Sequence, residues 1–522
     1  MEKKSSLLKS VGVVSAATAV SRVLGLVREQ VMAYFFGASM ATDAFVTAFR
    51  IPNLLRDLFA EGALSSAFVP VFKDKLVRQD PESAFSLARI ILTLVLVFVG
   101  LVVLIGIVAA PAIIYVSAHG FTEDQAKFGL TVDLTRLMFV YLLLVSLSAV
   151  IMGMLNSFGR FGIPALSPAL FNIGIIACVL GLHSFFEVPV YSMAIGVVVG
   201  GIGQVVIQLP LLRKIGFRFR PHFSLLDDGV RRVLRLFTPM VVGLSAGRVN
   251  ILVSTLLASL LAEGAISYLN YSFRLMHFPL GVFAVALGTV ALPRASEDAS
   301  QGDMARLTRT FIQAINLNFL VIMPSAAFLA FWGYDIVEIV YQYGHFSAAD
   351  TENTARALLH YTYGLVGLAA VRVTVPFFYS LGDSRLPTRI SITAVLINIA
   401  LYPPLVWGLN LGFAGLAAAT SLAGLVNFAL LVYYLPSKGL DFKRRYLLLD
   451  AVRIGVAATL SVYISRLWPF SVGAHLPGVW GRAADIAVGI AAGGALFVLF
   501  CLLLRVRELF VLRDRILARF RR

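Results

Sequence analysis

Charge is scarce in this chain: 14% of its 522 residues are charged, against 59% that are hydrophobic. Soluble proteins of this length divide into about three or four domains with about a quarter of their residues charged, so that class is excluded and an integral membrane protein remains. Cysteine is scarcer still. Cys178 and Cys501 lie inside apolar runs, with no CxxC pair and no Cys/His cluster, which excludes a disulfide scaffold and structural zinc. Acids are outnumbered, 28 against 44 Lys and Arg, for a net charge of +16. Nucleic acid would need those cations as a patch on a polar domain, but they fall in short gaps between apolar runs, and no nucleic-acid partner is expected. Catalytic motifs are missing too. There is no HExxH, nucleophile elbow, Walker lysine loop or DxxD pair; Gly200-Gly201-Ile202-Gly203 lies inside a span and reads as packing, and Asp227-Asp228 as the acidic start of a helix. Neither an enzyme nor a bound cofactor is expected.

Long apolar runs are what the chain has in abundance. A hydrocarbon core about 30 Å thick takes about 20 helical residues, whereas barrel strands alternate over about ten, so these runs predict helices. Fourteen spans result, beginning with Leu7–Phe36 and Ala41–Phe72, passing through Val230–Leu261, and ending with Leu447–Leu467 and Ala483–Leu504; Trp332–Asp350 reads as a helical extension of the ninth. The first is too long for a signal peptide and carries Arg22 and Arg28. Cytoplasmic loops retain Lys and Arg. The N-terminus, the even-numbered loops and the C-terminus hold 32, the odd-numbered loops hold four (Lys127, Arg356, Arg466, Arg482) and the spans eight, which predicts cytoplasmic termini.

The chain also repeats itself. Ser157-Phe-Gly-Arg-Phe-Gly-Ile-Pro164 aligns with Ser380-Leu-Gly-Asp-Ser-Arg-Leu-Pro387 at a shift of 223, Phe49-Arg50 with Phe273-Arg274 at 224, and Leu209-Pro210 with Leu435-Pro436 at 226. The repeat is six spans long, and because six is even both copies enter from the same side, as parallel repeats about an axis along the membrane normal. The expected fold is an all-α integral membrane protein of 14 transmembrane helices. One six-helix bundle occupies residues 1–222 and another 223–437, around a central cavity; residues 438–522 add helices 13 and 14 and a basic cytoplasmic tail. Two such bundles open a cleft alternately by rocking, so the architecture points to a transporter.

An arginine at the bilayer centre costs about 2.5–3.5 kcal/mol even on the lenient insertion scale, so intramembrane charges face a cavity or a partner. On the second span Asp43, Arg50, Asn53, Arg56, Asp57 and Glu61 fit an arc of about 140°. The first span carries Arg22, Arg28 and Glu29, and the eighth carries Arg274 with Asn270 and His277 nearby. Charges that pair to hold helices together are the plain reading, strongest for Glu29, Asp57 and Glu61. A water-filled, arginine-lined cleft for an anion is the sharper one, because Arg has no neutral form and its planar fork suits carboxylate or phosphate. Arg136, Arg248 and Arg372 read as snorkelling or structural, and His277 as a packing residue.

Several stretches resemble the MurJ/MviN lipid II flippases of the multidrug/oligosaccharidyl-lipid/polysaccharide exporter superfamily. They are Ser21-Arg22-Val23-Leu24-Gly25-Leu26-Val27-Arg28, Ala41-Thr42-Asp43-Ala44-Phe45, Pro52-Asn53-Leu54-Leu55-Arg56 with Ala60-Glu61-Gly62-Ala63, Tyr271-Ser272-Phe273-Arg274-Leu275, and Gln342-Tyr343-Gly344-His345-Phe346. The resemblance covers essentially the whole chain. It implies a substrate, lipid II, the undecaprenyl-pyrophosphate-linked peptidoglycan precursor, moved from the cytoplasmic to the periplasmic leaflet of the bacterial inner membrane, with membrane lipids and cell-wall synthesis proteins as candidate partners. It assigns the headgroup to Arg22, Arg28, Arg56 and Arg274, with Asn53 beside them, and makes Asp43 an outer-gate residue, expected to close against an arginine such as Arg28. Glu29, Asp57 and Glu61 are gate or cavity charges. Helices 13 and 14 are implied to form a groove for the lipid tail. Some relatives are described as holding sodium between the seventh, eleventh and twelfth spans. Here those spans offer Asn250, Asn398 and Asn427 but no carboxylate, which puts sodium coupling in question.

Other functions weigh less. A flippase for another polyprenyl-linked oligosaccharide shares the same charge logic. A cation-coupled drug antiporter would want an uncompensated carboxylate, a membrane-embedded transferase a metal-binding acid pair at a membrane face, and a scaffold no buried charge at all.

Overall fold

The computed structural model describes residues 2–57, 63–467, 473, 478–506 and 508–509, and contains no strand among them. Packing divides the chain into two compact units, Met1–Ser267 and Tyr268–Arg522. The first holds α1 (Glu2–Phe36), α2 (Met40–Arg56), α3 (Ala63–Arg78), α4 (Pro81–Leu94), α5 (Gly100–Ser117), α6 (Gln125–Ser157), α7 (Gly162–Leu182), α8 (Tyr191–Val206), α9 (Leu209–Lys214) and α10 (Asp228–Ser259), and the first residues of α11 (Ala265–Pro279). The second continues with α12 (Val285–Ser300), α13 (Met304–Phe331), α14 (Gly333–Tyr341), α15 (Ala348–Ser380), α16 (Arg385–Pro403), α17 (Phe413–Tyr434), α18 (Arg444–Leu467) and α19 (Gly478–Leu503). α10 goes with the first unit because it packs on α3, α4 and α5. The boundary expected at residue 222 rests on the sequence repeat, which is a different kind of division.

Eleven helical stretches of the described residues are long and apolar enough to cross a membrane; α4 and α5 form one of them, Pro81–Ser117, joined by a π turn at Val95–Val99. The three expected spans outside this set coincide with α1, with α2 and α3, and with α10. These helices carry most of the intramembrane charges.

Helix starts follow from local chemistry. Asp80, Asp124, Asp227 and Asp303 accept first-turn N–H groups of α4, α6, α10 and α13 at 2.5, 2.9, 3.1 and 2.8 Å. Ser347 and Asp350 cap α15 reciprocally. Each cap is worth about 1 kcal/mol, and Asp227 in this position fits the acidic helix start expected of it. The ninth span does not run on through Trp332–Asp350. It ends at Phe331, α14 is a separate helix, and Gly344 supplies a left-handed turn at φ 58° before α15. A Cβ on Gly200 would lie 2.8 Å from the Phe171 Cα, so the glycine run on α8 lets that helix close on α7.

Loop contacts gather at opposite ends of the helices. In the first unit, the residues around Met40, Gly120, Lys127 and Glu263 share one end, while Lys73 meets the Ser157 carbonyl and Arg232 meets Asp74 at the other. In the second, Asp335 and Glu338 on α14 pair with Arg466 and Arg482, while Asp383 pairs with Lys438 in another set of loops. All four cations of the sparse odd-numbered loops are engaged, Arg356 by the Leu411 carbonyl at 3.4 Å.

Candidate functional site

α1 meets α7 through one polar cluster. Arg28 donates from Nη2 to Glu29 Oε1 at 2.5 Å and from Nη1 to Asn172 Oδ1 at 3.1 Å, with its guanidinium over the Phe171 ring. Asn172 Nδ2 donates in turn to the Ser21 carbonyl at 3.2 Å, so the amide holds α1 two turns before the arginine as well as the arginine itself. Glu29 is buried, and its charge is tolerable in an apolar helix because Arg28 and its hydrogen bonds compensate it. Arg22 lies on an exposed face of the same helix.

α2 and α10 run antiparallel along a polar seam. At one end Asp43, 1% exposed, accepts four contacts: Lys127 Nζ at 3.0 Å and the Gly264 N–H at 2.9 Å on Oδ2, and the Ser267 N–H at 2.9 Å and hydroxyl at 2.6 Å on Oδ1. The Met40 N–H donates to Glu263 Oε1 at 2.7 Å beside it. Gly120 closes the same end from the α5–α6 loop; a side chain there would strike the Ser259 carbonyl at 2.1 Å. Two turns further along α2, Arg50 donates to Thr255 Oγ1 at 2.5 Å. Two turns beyond that, Asp57 meets Arg248 at 2.9 Å and Arg56 at 3.1 Å. Seven positions on α2 are matched by seven on α10, as the pitch of two facing helices requires.

The expected pairing of Asp43 with Arg28 is corrected here: Asp43 is held by Lys127 and the α10–α11 turn, while Arg28 belongs to Glu29 and Asn172. Arg248, expected to be snorkelling or structural, faces Asp57, which fits the structural alternative. Arg136, paired with Asp133 at 3.3 Å, and the exposed Arg372 stand apart from these clusters. Asn53 lies one turn before Arg56, its Oδ1 buried without a hydrogen-bond partner. Glu61 lies outside the described residues. Arg274 is exposed on α11 in the second unit, and His277 stacks on Phe273 with centroids 3.9 Å apart, in keeping with a packing role.

Sequence reading missed Asn172 as a cluster member and counted Lys127 only for topology. A single Asn in the apolar α7 was the available signal, whereas nothing local marks Lys127 as the partner of Asp43. Of the three asparagines at the sodium positions of relatives, Asn398 donates to the Tyr402 hydroxyl at 3.0 Å and Asn427 keeps a buried Oδ1 without a partner. Among the described residues no group of three His, Cys, Asp or Glu side chains converges for a metal ion. Neutral amides give a cation no compensating charge, so these residues fit sodium poorly.

Residues 32–481 match the family model described as lipid II flippase MurJ. The chain is 35% identical over 442 residues to the lipid II flippase MurJ of Burkholderia cenocepacia, covering 83% of this chain and 85% of that one. It is 34% identical over 520 residues to the probable lipid II flippase MurJ of Vibrio cholerae, covering 96% and 97%. A solved lipid II flippase MurJ in an inward closed conformation superposes with a TM-score of 0.77 at 25% identity, over 94% of this chain and 98% of that one. An inward-facing MATE family multidrug transporter shares the fold, at a TM-score of 0.60 and 14% identity, over 82% and 96%. The charged clusters on α1, α2 and α10 are thus set in a multi-pass helical membrane protein, and the chain belongs to the MurJ family of lipid II flippases.

Proposed function

We propose that this protein moves lipid II from the cytoplasmic to the periplasmic leaflet of the inner membrane by alternating access, supplying peptidoglycan synthesis. The observation that carries the reading is the gathering of arginines and their counter-charges on α1, α2 and α10. Arg22, Arg28, Arg56 and Arg274, with Asn53, hold the pyrophosphate and the sugar-peptide headgroup, because guanidinium forks match phosphate oxygens in pairs. Asp43, with Lys127 and the α10–α11 turn, keeps the periplasmic end shut while the substrate loads from the cytoplasm.

Fourteen spans with cytoplasmic termini accommodate the eleven apolar helices together with α1, α2 with α3, and α10. Two parallel six-span repeats are supported by helix starts: Pro81 and Met304, Gln125 and Ala348, and Gly162 and Arg385 each stand 223 residues apart. α18 and α19 lie outside the repeat and supply an apolar groove for the polyprenyl tail. Membrane potential acting on the bound anion and the cavity charges contributes about 2.3 kcal/mol per charge per 100 mV and drives cycling without sodium. An antiporter reading is disfavoured because Glu29, Asp43 and Asp57 all face cations. Depleting the protein in growing cells tests the function. Lipid II should accumulate in the cytoplasmic leaflet; accumulation in the periplasmic leaflet, or no change, refutes it, and accumulation of a different polyprenyl-linked sugar reassigns the substrate.

A further inference from the structure

Asp57 holds two guanidiniums at once, Arg56 from its own helix at 3.1 Å and Arg248 from across the seam at 2.9 Å. Two arginines converging on one small anion is how a pyrophosphate group is bound. The cluster is not sealed, since the side chains of Arg56, Asp57 and Arg248 keep 22%, 20% and 31% of their surface open. Beside it, the buried and unpartnered Asn53 Oδ1 is an acceptor suited to a sugar hydroxyl or peptide N–H. Asp57–Arg248 is also the innermost described contact of the α2/α10 seam, whose outermost contacts gather at Asp43.

We propose that Asp57 is a tethered stand-in for the substrate's pyrophosphate, and that Arg248 is an anion-binding residue it holds in reserve. A pyrophosphate-bearing lipid entering the site takes Arg56 and Arg248 from Asp57. That exchange breaks the innermost contact of the seam, so loading weakens the hold that keeps the outer end shut. The ligand shifts the equilibrium because it binds better once the seam has parted, when Asp57 no longer competes for the two arginines. The proposal rests on the flippase reading and adds the link between loading and opening.

Thr47 is on the stripe of α2 that contains Asp43 and Arg50, is 1% exposed, and accepts cysteine with little change of shape, so it reports on the seam. In the full-length protein with Cys178 and Cys501 replaced, Thr47→Cys is labelled with a membrane-impermeant maleimide, and binding of undecaprenyl pyrophosphate, undecaprenol and inorganic pyrophosphate is measured. Asp57→Asn should tighten undecaprenyl pyrophosphate binding about tenfold and Arg248→Gln weaken it about tenfold, while both raise Thr47→Cys labelling without ligand. Opposite signs on affinity with one sign on labelling is the signature. A packing role moves affinity the same way in both variants, and that result, or labelling that neither variant changes, overturns the proposal. If either single variant fails to fold, the Asp57→Asn/Arg248→Gln double variant removes both charges of the cross-helix pair together and leaves the net charge of the cluster unchanged; it should label faster than the parent and bind between the two expected extremes, and failing either overturns the proposal. A labelling response to undecaprenol equal to that of undecaprenyl pyrophosphate overturns it, because the tail would then be acting, and an equal response to inorganic pyrophosphate overturns the coupling to lipid substrate. Should the full signature appear in a protein that does not move lipid II, the flippase reading falls and the stand-in role survives.

Discussion

Asp43→Asn is the sharpest perturbation of the outer end. The carboxylate accepts two donors on each oxygen, and an asparagine keeps only one side of that arrangement. With its Oδ1 turned to Ser267, its NH2 group faces Lys127 Nζ and the Gly264 N–H, donor against donor. Two hydrogen bonds to a charged acceptor, at about 1.5–3 kcal/mol each, are lost, and Lys127 is left in a largely buried place without its counter-charge. The loss comes to at least about 3 kcal/mol, a factor of about 100 or more in the population of the closed outer end. Lys127→Met removes one contact of the four and leaves three donors on Asp43, so its effect should be about tenfold. The assay is the rate at which the Thr47→Cys reporter reacts with impermeant maleimide from outside, on protein matched for folded yield in the membrane. The ranking parent, then Lys127→Met, then Asp43→Asn is the expected result. An Asp43→Asn variant labelled no faster than the parent would refute the reasoning.

Further expectations concern the charged site, the topology and a surface pair. At Arg28, Arg56 and Arg274, Lys should lose much of lipid II binding and transport and Ala nearly all, because an ammonium cannot make the bidentate contact; Asn172→Ala should weaken binding through Arg28, and full activity in the alanine variants would leave these residues as structural charges. Single cysteines at the exposed Gln125 and Lys443 should label from opposite sides of the membrane, and like labelling would break the span count. Removing α18 and α19 should abolish transport while the first twelve spans still insert, and photo-crosslinkable lipid should mark these two helices; normal transport by the shortened chain would dismiss the tail groove. Lys438 and two backbone N–H groups hold the Asp383 carboxyl below its ordinary pKa of 3.8. A depressed pKa stabilises above the unfolded value and is lost as pH falls through the folded one, so Lys438→Met should cost at most about 1 kcal/mol at neutral pH, the pair being half-buried and screened by water, and nothing in strong acid. A constant cost down to the lowest pH would contradict that.

The sequence by itself determined the class of the protein, the positions of most spans, the separation of basic from non-basic loops and the identity of the charged helices, since each depends on composition or on spacing along one helix. Burial of apolar runs in hydrocarbon is a local property of about twenty residues, and any window of the chain carries it. The partners of those charges were decided only by tertiary structure. Asp43 and Lys127 are 84 residues apart and Arg28 and Asn172 are 144 apart. Periodicity tells which side of a helix a residue faces but not which helix lies there. Arg248 illustrates the limit: on α10 alone it is one cation in an apolar run, indistinguishable from a snorkelling residue, and only the antiparallel register with α2 sets it against Asp57. The break after Phe331 was hidden for a related reason, because the residues that follow still suit a helix and the turn at Gly344 depends on how α14 and α15 pack. A side chain reaches only a few ångströms, so a polar partnership exists where packing brings two helices together, and that packing is fixed by contacts summed over the whole fold.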